Sequence, residues 1–206
     1  MKNYYLILAL VLIANYSLEA QIHHFEVGKT LSQYNYTNSL GVKSEGLTAL
    51  AGNRLALFFK TKKEDFVFGM SYQEQNARGG NGAQIYQWET KYLGPQLKYL
   101  VPLNKKIQGA FSLGAMFLLD GKQFIDGTQI QLKDNKEFNG LWFHPAIEVN
   151  YALVNLQALA IRFNYQLSPS FKMGNQGEEK LSFLNHHIGL QFNLLKQTKK
   201  ARSDEE

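Results

Sequence analysis

A chain of 206 residues with a formal net charge of +5, 45% hydrophobic side chains and no cysteine has room for one domain of ordinary size. Without cysteine it can hold no disulfide, no thiolate metal site and no lipid-modified N-terminal cysteine. Its basic residues gather in short runs (Lys60, Lys62 and Lys63; Lys105 and Lys106; Lys196, Lys199, Lys200 and Arg202), not in a stripe interleaved with aromatics. That pattern argues against a nucleic-acid partner and for solvated turns and a tail near anionic surfaces.

The start has the form of a secretory signal peptide, residues 1–20: Lys2, an apolar run over Tyr5–Ala14, then a stretch ending at Ala20 before Gln21. The apolar run is about ten residues, short of the roughly 20 that a membrane-spanning helix needs. No later stretch is long and apolar enough for such a helix. A membrane placement therefore requires a closed barrel, because unpaired backbone groups are not tolerated in lipid.

Period-two alternation then predicts eight strands in turn. The first, Phe25–Leu31, puts Phe25, Val27 and Leu31 on one face. A polar loop over Ser32–Thr48 follows. The second strand, Ala49–Thr61, puts Leu55, Leu57 and Phe59 outward and Arg54, Ala56 and Lys60 inward, with Phe58 against the pattern. After a tight turn at Lys62–Glu64, the third strand, Asp65–Gln73, carries Phe66, Phe68, Met70 and Tyr72 outward. Glu74–Ala83 reads as a loop. Its Gly79-Gly80-Asn81-Gly82 lacks the Lys-Ser/Thr ending and the helix of a phosphate cradle. The fourth strand, Gln84–Val101, has Leu93, Pro95, Leu97, Tyr99 and Val101 on one face. Tyr86, Trp88 and Tyr92 occupy the other parity, which predicts a bulge between the two halves. A short turn at Pro102–Lys106 leads to the fifth strand, Ile107–Leu119, and then to the longest loop, Asp120–Gly140. Leu141–Leu153 and Asn155–Leu167 are the sixth and seventh strands, joined by a short turn. The loop Ser168–Lys180 precedes the eighth, Leu184–Leu194, on whose apolar face His186 is the exception.

Connections after the odd strands are long and polar, and those after the even strands are short. The pattern predicts an all-β fold: an eight-stranded antiparallel up-and-down transmembrane β-barrel over residues 21–195. The signal peptide precedes it, and a charged periplasmic tail, residues 196–206, follows it. Phe59, Phe66, Tyr99 and Tyr151, with Phe192, are expected at the periplasmic rim. Tyr72, Phe117, Phe143 and Tyr165 are expected at the outer rim, as two aromatic girdles. Ile161 and Arg162, expected near the middle of the seventh strand, should face lipid and lumen respectively. A soluble lipocalin-type carrier is the alternative fold. It would place the apolar face inside, whereas here the opposite face is rich in Gly, Ala, Ser, Asn and Gln, which suits a crowded lumen.

The candidate constellations are few. Lys98, Glu148 and Arg162 share the inward face and predict a charged cluster, read either as a selectivity ring or as an ion-pair network filling a narrow barrel. His144 and His187, with Asp120 and Ser168 or Ser170, admit a hydrolase-like drawing that no spacing fixes. His23 and His24 face opposite ways on a strand and make a poor chelate. No metal, cofactor or catalytic residue is expected.

Two motifs carry a resemblance. His187-Ile-Gly189-Leu-Gln-Phe192-Asn-Leu194 resembles the C-terminal signal read by the outer-membrane barrel assembly machinery. Here the chain runs on past it, through Lys196–Glu206. Tyr92-Leu-Gly-Pro95-Gln-Leu-Lys98-Tyr99 is similar to a strand of small Bacteroidota-type outer-membrane barrels, the "porin family" or OmpA/OmpX-like barrel group. It lacks that motif's Glu and is shorter in spacing. The resemblance implies a place in the bacterial outer membrane, with outer-membrane lipid around the barrel and the assembly machinery as partner during biogenesis. An envelope protein is a further possible partner. The expected role is non-enzymatic: structural, or surface interaction through long extracellular loops around a largely plugged lumen. The rival readings are a narrow porin, an outer-rim lipid-modifying enzyme and the lipocalin-like carrier.

Overall fold

The computed structural model describes residues 18–37, 41, 48–63, 65–80, 85–133, 138–156, 158–173 and 180–194. Among these are nine strands: β1 (Leu18–Thr37), β2 (Thr48–Thr61), β3 (Phe66–Gly80), β4 (Ile85–Pro102), β5 (Ile107–Ile125), β6 (Thr128–Gln131), β7 (Leu141–Asn155), β8 (Leu159–Lys172) and β9 (Lys180–Leu194). The eight long strands pair antiparallel in the order β4-β3-β2-β1-β9-β8-β7-β5, and a β4–β5 pairing closes the ring. Neighbours in sequence are neighbours in space except at the β1–β9 seam, so the barrel is up-and-down. The signal segment expected at 1–20 lies outside the described residues apart from Leu18–Ala20, whose backbone continues β1. The tail 196–206 lies outside them entirely.

Three departures from the sequence reading have physical causes. First, the strands run well into the expected loops, to Thr37, Gly80, Ile125 and Lys172. There the outward side chains turn polar (Gln33, Asn35, Asn76, Arg78), so the apolar-out alternation vanishes although pairing persists. Second, the expected loop Asp120–Gly140 contains a hairpin. Ile125 pairs with Thr128 across Asp126 (φ 48°) and Gly127 (φ 84°), two left-handed residues in the Asp-Gly order that a two-residue type I′ turn favours. Third, β4 keeps one parity throughout: Trp88, Tyr92, Gln96 and Lys98 all point inward and are buried. The bulge lies in its partner, where Lys91 pairs with Asp120 and Tyr92 with Leu118, leaving Leu119 extra.

The register gives the size of the barrel. Starting at Tyr151, cross-strand partners run Phe163, Leu190, Val27, Leu55, Tyr72, Leu93, Phe117 and back to β7 at Leu141. The circuit closes ten residues up the strand it left. Ten residues at roughly 3.3 Å each, against eight strands roughly 4.8 Å apart, give a tilt of roughly 40°. The axial climb of that circuit is then about 25 Å, the height of the apolar band on membrane barrels.

Every side chain on that circuit faces outward. On β5, β7 and β8 the outward residues between its two ends are apolar and open: Ile147 is 58% exposed, Phe111 57% and Leu113 54%. The inward face is buried and mostly polar, with Glu26, Thr30, Ser71, Gln96, Lys98, Ser112, Asn150, Asn164 and Gln191 all at 3% or less. This is the inverse of a soluble carrier, in which the apolar face lines the interior.

Candidate functional site in the lumen

Each inward residue is placed by parity, and the narrow bore brings residues from distant strands together. Glu26 on β1 stands at the centre. One carboxylate oxygen accepts a hydrogen bond from the Arg54 guanidinium at 2.5 Å, and the other accepts from Lys98 Nζ. His24 Nε2 lies 3.1 Å from that second oxygen. Lys98 also donates to Glu148 Oε2 at 2.5 Å and sits 4.4 Å from the centre of the Phe58 ring.

Hydrogen bonds carry the cluster across the lumen. On one side Arg54 reaches Gln96 at 3.5 Å and Gln96 donates to Ser112 at 2.9 Å. On the other, Asn150 donates to Glu148 at 2.7 Å and Asn164 donates to Asn150 at 2.8 Å. The network thus touches β1, β2, β4, β5, β7 and β8. Its two carboxylates and two cations balance, as buried charges require.

Of the three charged residues singled out by sequence, Lys98 and Glu148 meet directly. Arg162 stands apart, half-buried, with no ion pair among the described residues and no partner at Nε. Glu26 is absent from the sequence candidates, although a signal for it exists: a carboxylate between outward Phe25 and Val27 must face inward. Arg54 is inward by parity, but nothing in its spacing pairs it with Glu26.

Apolar clusters flank the network on both sides. Toward the turns, Phe58 packs with Ala56, Val67, Leu100 and Ala110. Toward the loops, Trp142 is fully buried against Phe183 (ring centres 4.8 Å) and Tyr92 (5.8 Å), and donates from Nε1 to Phe138 O at 2.8 Å. Tyr34 and Trp88 complete this cluster, with Leu132 from beyond β6.

The other sequence candidates separate. His144 is buried and lies 3.2 Å from Gln73 Nε2, while its Nε2 has no partner among the described residues. His187 bonds Thr30 at 2.7 Å. Ser168 donates to Pro145 O at 3.0 Å, Ser170 accepts from Asn185, and Asp120 lies 3.9 Å from Lys91 on the outside. No nucleophile–base pair forms among them. His23 and His24 contact each other at 2.5 Å, and among the described residues no three such side chains converge to hold a metal ion. Of the Gly-rich stretch, Gly79 and Gly80 end β3, and Asn81 and Gly82 lie outside the described residues.

On the last strand, His187 points inward. Phe192 points outward and stacks on Phe25 (ring centres 4.6 Å, planes 6° apart), and Leu194 is exposed at the strand end. Gly189 faces Gly28 across the closing seam. A Cβ on Gly189 would lie 2.2 Å from Val27 O, and one on Gly28 would lie 2.4 Å from Ile188 O. Two glycines let the first and last strands approach this closely.

The aromatics sort by height. Phe59, Phe66, Tyr99 and Tyr151 share the lower rim, with Phe66 and Tyr99 5.0 Å apart. Phe117 and Phe143 stand near the upper edge. Tyr72 lies below that edge, and Tyr165 lower still, near the level of Ile147 (about 8 and 10 Å above Tyr151). By the same reckoning Ile161 lies at the lower rim, near the start of β8, and not at mid-height as expected. The strand begins at Leu159, and the tilt sets that end low.

No family model matches the sequence, and no curated protein matches it in a sequence comparison. The fold is similar to the crystal structure of Neisserial surface protein A (TM-score 0.56, 12% identity, covering 82% of this chain and 96% of that one). Weaker similarity extends to the outer membrane protein OprG from Pseudomonas aeruginosa (TM-score 0.49, 9% identity, 85% and 97% covered). It extends also to Ail, the attachment invasion locus protein of Yersinia pestis (0.46, 11%, 84% and 100%). At these identities the likeness speaks to architecture: the chain is a closed eight-stranded antiparallel β-barrel of the kind found in small outer-membrane proteins.

Proposed function

We propose that the chain is an outer-membrane barrel with a sealed lumen, serving a structural or surface-interaction role through the loops at the end opposite its termini. The observation that carries this reading is the pairing of an apolar outer band about 25 Å tall with an interior of interlocked buried charges. The band suits hydrocarbon, and neutralised charges between two apolar clusters leave ions no favourable path. The likeness to Neisserial surface protein A is consistent with this placement. Kinship with the Bacteroidota-type small barrels rests on the Tyr92–Tyr99 motif. Outer-membrane lipid is then the solvent of the outer face, and the assembly machinery would read His187, Gly189, Phe192 and Leu194 on β9. The loops concerned fall largely outside the described residues, at 38–40, 42–47, 81–84, 134–137 and 174–179.

The reading is non-enzymatic because His144, His187, Ser168, Ser170 and Asp120 stay apart and no nucleophile lies beside a base among them. Planar-bilayer recording of the purified protein tests the seal. The expected result is no stable unitary conductance. Reproducible open steps would overturn the sealed lumen in favour of the narrow porin.

A further inference from the structure

The outer band is not uniform around the barrel. One residue along a strand climbs about 2.5 Å, and one step to the next strand along a cross-strand pair climbs about 3 Å. On this scale Lys29, outward on β1, stands about 14 Å above Tyr151, level with Pro145 and Leu167 on the far wall. His186 on β9, Asn53 on β2 and Glu74 on β3 follow at about 16, 17 and 21 Å. At the same heights β5, β7 and β8 carry Ala115, Phe117, Phe143 and Pro169. Four adjacent strands therefore present a polar arc inside the apolar band, while the opposite wall stays apolar to its top.

The arc is held together by its own bonds. Lys29 Nζ donates to Asn53 Oδ1 at 2.6 Å, and the Asn53 side chain and backbone N both donate to Glu74 Oε2 at 2.9 Å. Tyr72 OH donates to Glu74 Oε1 at 2.8 Å, and Tyr165 OH lies 2.9 Å from His186 Nδ1. Lysine has three donors and uses one of them among the described residues. A charged side chain on the lipid face near mid-height is costly, and such residues in membrane proteins face partners. Glu74 repels an anionic headgroup, so a lipid phosphate is a poor occupant. Leu31 stands above Lys29, and a groove of about 300 Å³ lies beneath the arc, lined by Phe25, Leu55, Leu57 and Met70 among others. Apolar packing thus surrounds the polar centre.

The order of charges around the arc selects the partner. Lys29 and Glu74 flank Asn53 on either side, and Lys91, the cross-strand partner of Glu74 on β4, stands above them at the top of the band. When two copies face each other across a two-fold axis along the membrane normal, left meets right: Lys29 opposes Glu74, and Asn53 opposes itself. We propose that this face is the interface of a homodimer in which Lys29 of each copy pairs with Glu74 of the other around a two-fold axis near Asn53. The interface is isologous. The four-carbon lysine stem covers the height difference between the two charges, and the polar pairs act as glue where packing alone is weak. The proposal rests on the outer-membrane reading above.

The chain has no cysteine, so single cysteines report cleanly. Asn53→Cys in the full-length protein, reconstituted in phosphatidylcholine vesicles and oxidised, should link into a covalent dimer. Ile147→Cys, on the opposite wall, should give only background. Lys29→Glu or Glu74→Lys, each combined with Asn53→Cys, should reduce the link to background while β-sheet circular dichroism is retained, and the double exchange should restore it. Inserted protein that links no better through 53 than through 147, or a double exchange that fails to restore linking, overturns the dimer alone. Failure of the folded protein to enter vesicles overturns the membrane reading and the dimer with it.

Discussion

Replacing Glu26 by Gln keeps its shape and removes the charge that serves both buried cations. Arg54 then has no anion, only a neutral amide oxygen at 26 and a marginal contact with Gln96 at 3.5 Å, while Lys98 keeps Glu148 at 2.5 Å. Removing one partner from a buried ion pair costs about 3–5 kcal/mol, mainly through the stranded charge, and Arg54 is 4% exposed. Glu148→Gln is the matched control. Lys98 stays on Glu26, and the amide can still accept from Asn150, so the loss should be about 1–3 kcal/mol. Urea unfolding from lipid vesicles, followed by the fluorescence of buried Trp88 and Trp142, reads both. The double variant Glu26→Gln with Arg54→Met should be less destabilised than Glu26→Gln alone, because the stranded cation is gone. Equal losses for the two single variants, or a double variant worse than the sum of its parts, would refute the account of Glu26 as the shared counter-ion.

Depth should govern the cost of a lipid-face charge. Ile147→Lys, at mid-band, should cost about 2–4 kcal/mol in vesicle unfolding, whereas Ile161→Lys, at the lower rim, should cost about 0–1; equal costs would contradict the register. At the seam, Gly189→Ala sets a methyl against Val27 O and should destabilise by about 1–3 kcal/mol, as overpacking does. It should also slow refolding into vesicles, measured by the return of β-sheet circular dichroism. Unchanged stability would mean that β1 and β9 lie further apart than described.

The alternation that locates the strands is a direct consequence of a wall with two solvents, so all eight barrel strands are legible from apolar parity alone over their membrane-facing length. What parity could not reveal were the strand extensions. Beyond the apolar band both faces carry polar or aromatic groups, and residues such as Tyr34, Gln75 and Trp88 lose the contrast that marks a strand while still pairing. The same blindness produced the expected bulge in β4. Trp88 and Tyr92 are large and apolar, and so in sequence they contrast with the small inward residues below them. In the folded chain they point into the lumen and join the buried aromatic cluster with Tyr34, Trp142 and Phe183. The charged site was half legible. Parity put Lys98, Arg54 and Glu148 on one side of the wall. Which of them touch depends on shear and strand order, and a single sequence contains neither.

The network also bears on why the sheet closes. In a flat sheet Glu26 on β1 and Lys98 on β4 would be three strand spacings apart, roughly 14 Å, and Lys98 and Glu148 two spacings apart, roughly 10 Å. Only curvature brings Lys98 onto both carboxylates at once. A partly curled sheet entering a bilayer could pair Glu26 with Arg54 across β1 and β2 but would carry Lys98 and Glu148 without partners, and each unpaired charge in a low-dielectric setting costs several kcal/mol. The penalty disappears when the wall curves enough for all four to meet. Closure of the first strand onto the last is then coupled to satisfaction of the interior: Gly28 and Gly189 allow the close approach at the seam, and the charges opposite them make any wider, half-open arrangement unfavourable. The same residues that fill the lumen therefore act against the open sheet edges that a membrane cannot accommodate.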